Sequence, residues 1–158
     1  MKIAQTLLIG TAVLGVSLFM APAQAAEDHV LVLPDKVQWG PAPPVLPAGA
    51  KAAVLYGDPA KEGQFALRLK LPRGYHVPPH THPVDENVTV ISGRFQLGMG
   101  EAADKSKAKA LPAGSFFSLP PGMVHYVYTD EETVIQINTV GPWGLKYVNP
   151  KDDPRKKM

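Results

Sequence analysis

Hydrophobic positions recur in short runs with a period of two, and Gly and Pro break them at close intervals. The clearest run is Gln64 to Leu71, with Phe65, Leu67, Leu69 and Leu71 on one side and Ala66, Arg68 and Lys70 on the other. Alternation of this kind predicts a half-buried strand. Further strands are predicted at Ala52 to Tyr56, Val88 to Ile91, Phe95 to Met99, Ser115 to Leu119, Val124 to Thr129, Thr133 to Val140 and Leu145 to Val148. A short one is expected within Glu27 to Trp39, where Val30 to Leu33 are all apolar, ending near Pro34. Ser92-Gly93 reads as a tight hairpin with Gly93 at positive φ. No long amphipathic helix competes. The pattern predicts an all-β fold, a small antiparallel sandwich or barrel.

Other segments fall outside the alternation. Gly40 to Pro47 carries four prolines and is expected to be an extended surface connector, with a partner-wrapping arm as the other reading. Glu101 to Lys109 is polar and reads as a solvated loop. Pro150 to Met158 is a charged tail expected to fray. At the N-terminus, Met1-Lys2, the apolar run Leu7 to Met20 and Ala23-Gln24-Ala25 form a secretory signal pattern over 1–25. The expected domains are therefore a signal peptide at 1–25, an N-terminal strand and Pro-rich arm at 26–50, a β domain at 51–149 and the tail at 150–158.

Composition narrows the function. The 16 basic and 14 acidic residues are nearly balanced, and no basic cluster or aromatic series suggests a nucleic-acid face. Cys is absent, so disulfides and thiolate metal sites are excluded, as is a lipid-modified Cys at the cleavage site. The expected location is periplasmic or secreted, with no membrane attachment after cleavage. A mature chain of roughly 130 residues buries about two thirds of its unfolded surface, enough to fold without staples.

Candidate chemistry lies in GYHVPPHTHPVDENVTVISG, Gly74 to Gly93. His80 and His82 are two apart and can aim at one point from a strand. If Pro83-Val84-Asp85 turns the chain, Glu86 can face the same point from the next strand. Two imidazoles and a carboxylate suit a transition metal rather than calcium. His125, beyond a second turn-rich segment, would be the fourth ligand. His76 shares parity with His80 and is a rim residue or a supporting group. Met123 is core filler or faces the pocket. Asp85 should point away from Glu86. Gln136 and Asn138 share one strand face, which is either solvent-exposed or the lining of a polar cavity.

The spacing resembles the cupin superfamily. Its first motif appears as Gly74, five residues, His80-Thr81-His82, three residues, Glu86, six residues and Gly93. Its second appears as Gly114, five residues, Pro120-Pro121-Gly122, two residues, His125, three residues and then Thr129 where the family has Asn. The resemblance implies a double-stranded β-helix, a jelly-roll relative, with His80, His82, Glu86 and His125 holding one divalent Fe, Mn, Zn, Ni or Cu ion. It also implies a homodimer. Open coordination positions would suit dioxygenase-like chemistry on a small molecule, with isomerase or hydrolytic chemistry sharing the site and Glu86 serving as proton acceptor. A non-catalytic metal or small-ligand binder, or a sensor, is the alternative.

Overall fold

Phe65, Leu67, Leu69 and Leu71 are all buried, and they set the inner face of the central sheet. The computed structural model describes residues 29–156. The signal-peptide reading of 1–25 lies outside the described residues. Among the described residues, eleven strands run in order as β1 (Gly40–Pro41), β2 (Lys51–Tyr56), β3 (Gly63–Leu71), β4 (His76–Thr81), β5 (Glu86–Ser92), β6 (Arg94–Met99), β7 (Lys109–Pro112), β8 (Phe116–Leu119), β9 (His125–Thr129), β10 (Thr133–Gly141) and β11 (Lys146–Tyr147).

They form two antiparallel sheets. One has six strands in the order β1-β2-β3-β10-β5-β8, and the other has five in the order β11-β4-β9-β6-β7. Inward residues of both meet in one core that includes Phe65, Val88, Phe95, Val127, Ile135 and Ile137. This is the expected all-β jelly roll. Gln136 and Asn138 lie on the outer face of β10, where Gln136 accepts a hydrogen bond from Arg68 Nε at 2.9 Å. That face is solvent-directed, and on it Gln136 and Asn138 line open, partly polar depressions.

Several expectations change. Val30 to Leu33 form no strand. Val30, Leu31 and Leu33 are exposed, and the free edge of β2 is taken instead by β1, with Gly40 opposite Ala52. The Pro-rich stretch is therefore more than a surface connector. Pro41 sits on a sheet edge, where a missing N–H is tolerated. Val45 and Leu46 are buried in the core. Tyr147 Oη donates to Val45 O at 2.7 Å and Tyr75 Oη donates to Pro47 O at 2.6 Å, so the arm plugs one end of the barrel.

Ser92-Gly93 is a corner between the two sheets, because β5 pairs with β10 and β8 while β6 pairs with β9 and β7. Gly93 does take φ of 77°, and a Cβ there would lie 2.4 Å from Glu132 O. The tail is ordered through Lys156. Asn149 caps one 3-10 turn, and Arg155 clasps the buried Asp153 carboxylate at 2.7 and 2.8 Å. That clasp holds the Asp153 pKa down at about 2.

Thr129 has a structural task at the position where the family motif has Asn. It is fully buried; its hydroxyl donates to Pro72 O at 2.6 Å and accepts from Tyr75 N–H at 3.1 Å. It ties the end of β9 to the turn that launches β4. Thr129→Val keeps the shape and removes both bonds, so it should cost about 2 kcal/mol of stability. Thermal unfolding measures this, and an unchanged midpoint would remove the tie from the account.

Candidate metal centre

The four candidate residues meet at one end of the barrel. His80 is on β4, directly opposite His125, the first residue of β9. Glu86 is the first residue of β5. His82 lies just past β4, in the turn before β5, and not within a strand as the parity argument assumed. All four are buried.

A register shift between Val77 and His80 explains the aim of β4. Val77 and Pro79 point inward, and the bulge lets His80 point inward as well. Bulges re-aim side chains in this way. The same shift breaks the parity of His76 with His80. His76 is turned outward, stacked on Tyr128 at 4.1 Å with Nδ1 at 2.9 Å from Val127 O. It is the rim residue, and no part of the centre. Met123 is also a rim side chain, and only its carbonyl serves the site.

One ring nitrogen from each of His80, His82 and His125 lies within 4.8 Å of the others. Each Nδ1 faces a backbone carbonyl: Pro78 O at 2.7 Å for His80, Gly144 O at 2.8 Å for His82 and Met123 O at 3.1 Å for His125. A carbonyl only accepts, so each Nδ1 carries the proton. Each Nε2 is left with a lone pair, as a metal-ligating histidine requires.

The Glu86 carboxylate lies beside two of the three rings. Glu86 Oε1 lies 3.3 Å from His82 Nε2, and Glu86 Oε2 lies 3.1 Å from His125 Nε2. Yet His82 Nε2 and Glu86 Oε2 have no hydrogen bond of acceptable geometry. Lone pairs facing at these distances repel unless a cation lies between them. Two donors each about 2.1 Å from one ion stand about 3.0 Å apart at a right angle and about 3.4 Å apart at the tetrahedral angle. Both spacings to Glu86 fall in that interval, and the three histidine nitrogens lie within reach of a shared ion.

The electrostatics agree. Burial, and then the nearby His125 and His82, hold the His80 pKa well below the ordinary imidazole value. Burial also lowers His82, against the pull of Glu86. Burial alone would raise Glu86, but the neighbouring His125 and His82 rings outweigh it and keep the carboxyl below its usual range. Neutral imidazoles beside an ionised carboxylate are the protonation states a cation needs.

The stability of metal-free protein should follow. An imidazole that resists protonation when folded binds a proton when unfolded, once the pH drops below about 6.5. Folding stability is therefore complete above that pH and is lost below it, with a slope up to about 1.4 kcal/mol per pH unit for each such imidazole. The depressed Glu86 adds loss in the same direction below its ordinary value of 4.5. Thermal midpoints measured in chelator from pH 8 to 5 should fall toward the acid side, and a flat profile would contradict the burial of these rings.

The donors open onto a small cavity with about 30 Å³ of space that a water centre can reach. Its walls are hydrocarbon from Leu46, Leu69, Leu71, Phe95, Ile135 and Leu145, together with the Trp143 indole. Leu46 of the Pro-rich arm and the Trp143 to Leu145 segment were not anticipated as site residues. Their contribution depends on long-range folding. The local signal was an apolar pair amid prolines and a Trp between a proline and a glycine.

Residues 22–146 match the family model described as Domain of unknown function (DUF4437). Germin-like protein 3-1 of Oryza sativa subsp. japonica is 32% identical over 112 residues, which is 68% of this chain and 49% of that protein. Germin-like protein subfamily 2 member 4 of Arabidopsis thaliana is 40% identical over 65 residues, 40% of this chain and 30% of that one. The chain thus spans about half the length, or less, of these curated relatives.

Among solved structures, the polyketide cyclase RemF from Streptomyces resistomycificus superposes with a TM-score of 0.65 at 16% identity, covering 81% of this chain and 92% of that one. A protein described as a putative acetylacetone dioxygenase from Methylibium petroleiphilum PM1 superposes with a TM-score of 0.59 at 18% identity, covering 80% and 85%. Likeness at these identities shows the fold. The family match places this chain in the DUF4437 family, and the shared architecture shows that it has the cupin fold.

Proposed function

We propose that this chain is an exported, mononuclear metal-binding cupin whose ion is held by His80, His82, Glu86 and His125 and which carries out dioxygenase-like oxidation of a small molecule. The observation that supports the reading is the convergence of three carbonyl-locked imidazoles and one carboxylate in a buried, apolar recess. A divalent Fe, Mn, Zn, Ni or Cu ion there would supply Lewis acidity and, if redox-active, electron transfer to dioxygen. The three Nδ1–H bonds fix the rings and raise their basicity. The hydrocarbon walls exclude bulk water. Glu86 is the one carboxylate lining the recess among the described residues and takes up a substrate proton at Oε1 or Oε2.

The same reading takes 1–25 as a cleaved signal, places the mature chain in the periplasm or outside the cell, and makes it a homodimer with no nucleic-acid or membrane partner. Val54 and Tyr56, more than half exposed on β2, support the pairing. Sedimentation as a lone subunit at micromolar concentration would refute it.

One observation favours a second reading, a non-catalytic metal or small-ligand binder or sensor. The recess is small and its walls carry little polar surface for holding a substrate. Elemental analysis of protein matured in its own compartment, followed by oxygen-uptake assays with small 1,3-diketones and vicinal diols, separates the two. The first reading expects one ion per chain and uptake that falls by at least about a hundredfold in Glu86→Gln. One ion without uptake selects the second reading, and undiminished uptake in Glu86→Gln removes Glu86 from proton transfer. Absence of any ion overturns both.

A further inference from the structure

The three imidazoles of the metal centre are not locked in the same way. His80 and His125 each point Nδ1–H at a carbonyl two residues back, Pro78 O and Met123 O, so the segment that carries the ring also orients it. His82 lies past the end of β4, and its Nδ1–H goes to Gly144 O, 62 residues away. The His82 carbonyl accepts Gly122 N–H at 3.0 Å, which holds the chain but leaves the ring free to turn about its side-chain torsions. The aim of His82 Nε2 at the ion is therefore fixed by a distant segment.

That segment is the bend at 141–144, between the end of β10 and β11, and it is clamped from outside. Trp143 N–H donates to Pro59 O at 2.7 Å. A Cβ on Gly141 would lie 2.0 Å from Lys61 O and 3.1 Å from Pro59 O, so the two backbones approach as only glycine allows. The turn at 58–61 is itself tied. Asp58 Oδ1 accepts Ala60 N–H at 2.9 Å, and Asp58 O accepts Lys61 N–H at 3.1 Å. Asp58, Ala60 and Lys61 are exposed. The clamped bend presents two groups to one ring: Gly144 O at 2.8 Å from His82 Nδ1, and the Trp143 indole stacked on the imidazole, with centroids 5.3 Å apart and planes 20° from parallel.

We propose that the surface turn at 58–61 and the bend at 141–144 act together as the positioning device for His82, so that Asp58 and Gly141, which bond to none of the four donors, set how tightly the metal is held. The inference rests on the metal-centre reading above. The bond from Trp143 N–H to Pro59 O holds the bend in place, and the His82 ring follows Gly144 O because a buried N–H without an acceptor is penalised. Outer partners of a ligating histidine typically change metal affinity by about ten- to a hundredfold. By this account His80 and His125 are preset by their own strands, and His82 joins them only when two remote segments dock.

The test is the zinc affinity of the full chain, measured against competing chelators and arranged as a double-mutant cycle. Gly141→Ala forces bend and turn apart and should weaken zinc binding by about tenfold or more. In a His82→Ala background the same substitution should change the affinity by less than about threefold, because the ring to be positioned is gone. Equal losses in both backgrounds would mean a general structural role and overturn the proposal. The ¹⁵N-histidine spectrum of the zinc-free chain gives a second readout. Gly141→Ala should end the predominance of the Nδ1–H form at His82 and preserve it at His80 and His125; a change at all three rings, or at none, overturns the proposal. Asp58→Ala loosens the turn from its solvent side and carries the test if Gly141→Ala does not fold. It should weaken zinc binding by about threefold or more, again only where His82 is present. Unaltered affinity in the folded variants overturns the proposal while sparing the metal centre. An unsubstituted chain that binds no zinc overturns both.

Discussion

Replacing His125 with alanine will weaken metal binding by more than about a hundredfold while the β fold persists. Losing even an outer partner of a ligand typically costs ten- to a hundredfold in affinity, and His125 would be a direct ligand. Its Nε2 stands 3.1 Å from Glu86 Oε2, so its removal takes away one donor and uncovers another. The strand does not depend on it. β9 is an interior strand of its sheet, bonded on one side to β4 and on the other to β6. The comparison variant is His76→Ala, which removes an imidazole four residues from His80 that faces outward against Tyr128. Titration against a competing chelator with zinc should separate the two cleanly, and circular dichroism should show the same strand content in both. A His125→Ala protein that holds zinc within about threefold of the original would dismantle the four-residue centre.

The contrast between His125 and His76 shows which parts of this molecule could be read from sequence. The clustering of His80, His82 and His125 was readable from their spacing in two turn-rich segments. So was β3, because every second residue faces the core and period-two alternation records that directly. Aim within β4 was not readable. Parity equates His76 with His80, and only the bulge between Val77 and His80 separates them. A bulge adds one residue to one strand, and the partner strand, far away in sequence, determines where it falls.

Partner choice hid the rest. Val30 to Leu33 have the composition of a strand yet find no ladder, whereas Gly40 and Pro41, poor strand formers, pair with the edge of β2. The Gly93 corner looked like a hairpin because φ near 77° serves both geometries. What differs is which strands lie alongside, and that is settled by hydrophobic packing of two sheets. The recess walls share this dependence. Leu46 is far in the chain from Ile135 and Trp143, and it meets them only when the sheets close.

Ile135→Ala should carry the largest loss of fold stability considered for this protein, about 2 to 5 kcal/mol. Ile135 lies on β10 opposite Leu69 of β3 and Val90 of β5, in the middle of the six-stranded sheet. It is 3% exposed, and its side chain helps to line the recess beneath the metal donors. Truncation removes three carbons from a place where two ladders hold the backbone and collapse is limited, so a void remains. The midpoint of thermal unfolding should drop by on the order of 10 °C. Ile135→Val removes one carbon from the same site and should cost about 1 kcal/mol. The void also has a functional consequence, because it adjoins the metal recess. Small apolar molecules should recover part of the lost stability of Ile135→Ala by filling it, as mass action requires of any ligand bound to the native state alone. Zinc affinity should not change, since none of the three carbonyls that lock the imidazoles belongs to β10. Equal stability losses in the valine and alanine variants would show that the wall collapses onto the void, and that the recess is pliant where packing makes it rigid here.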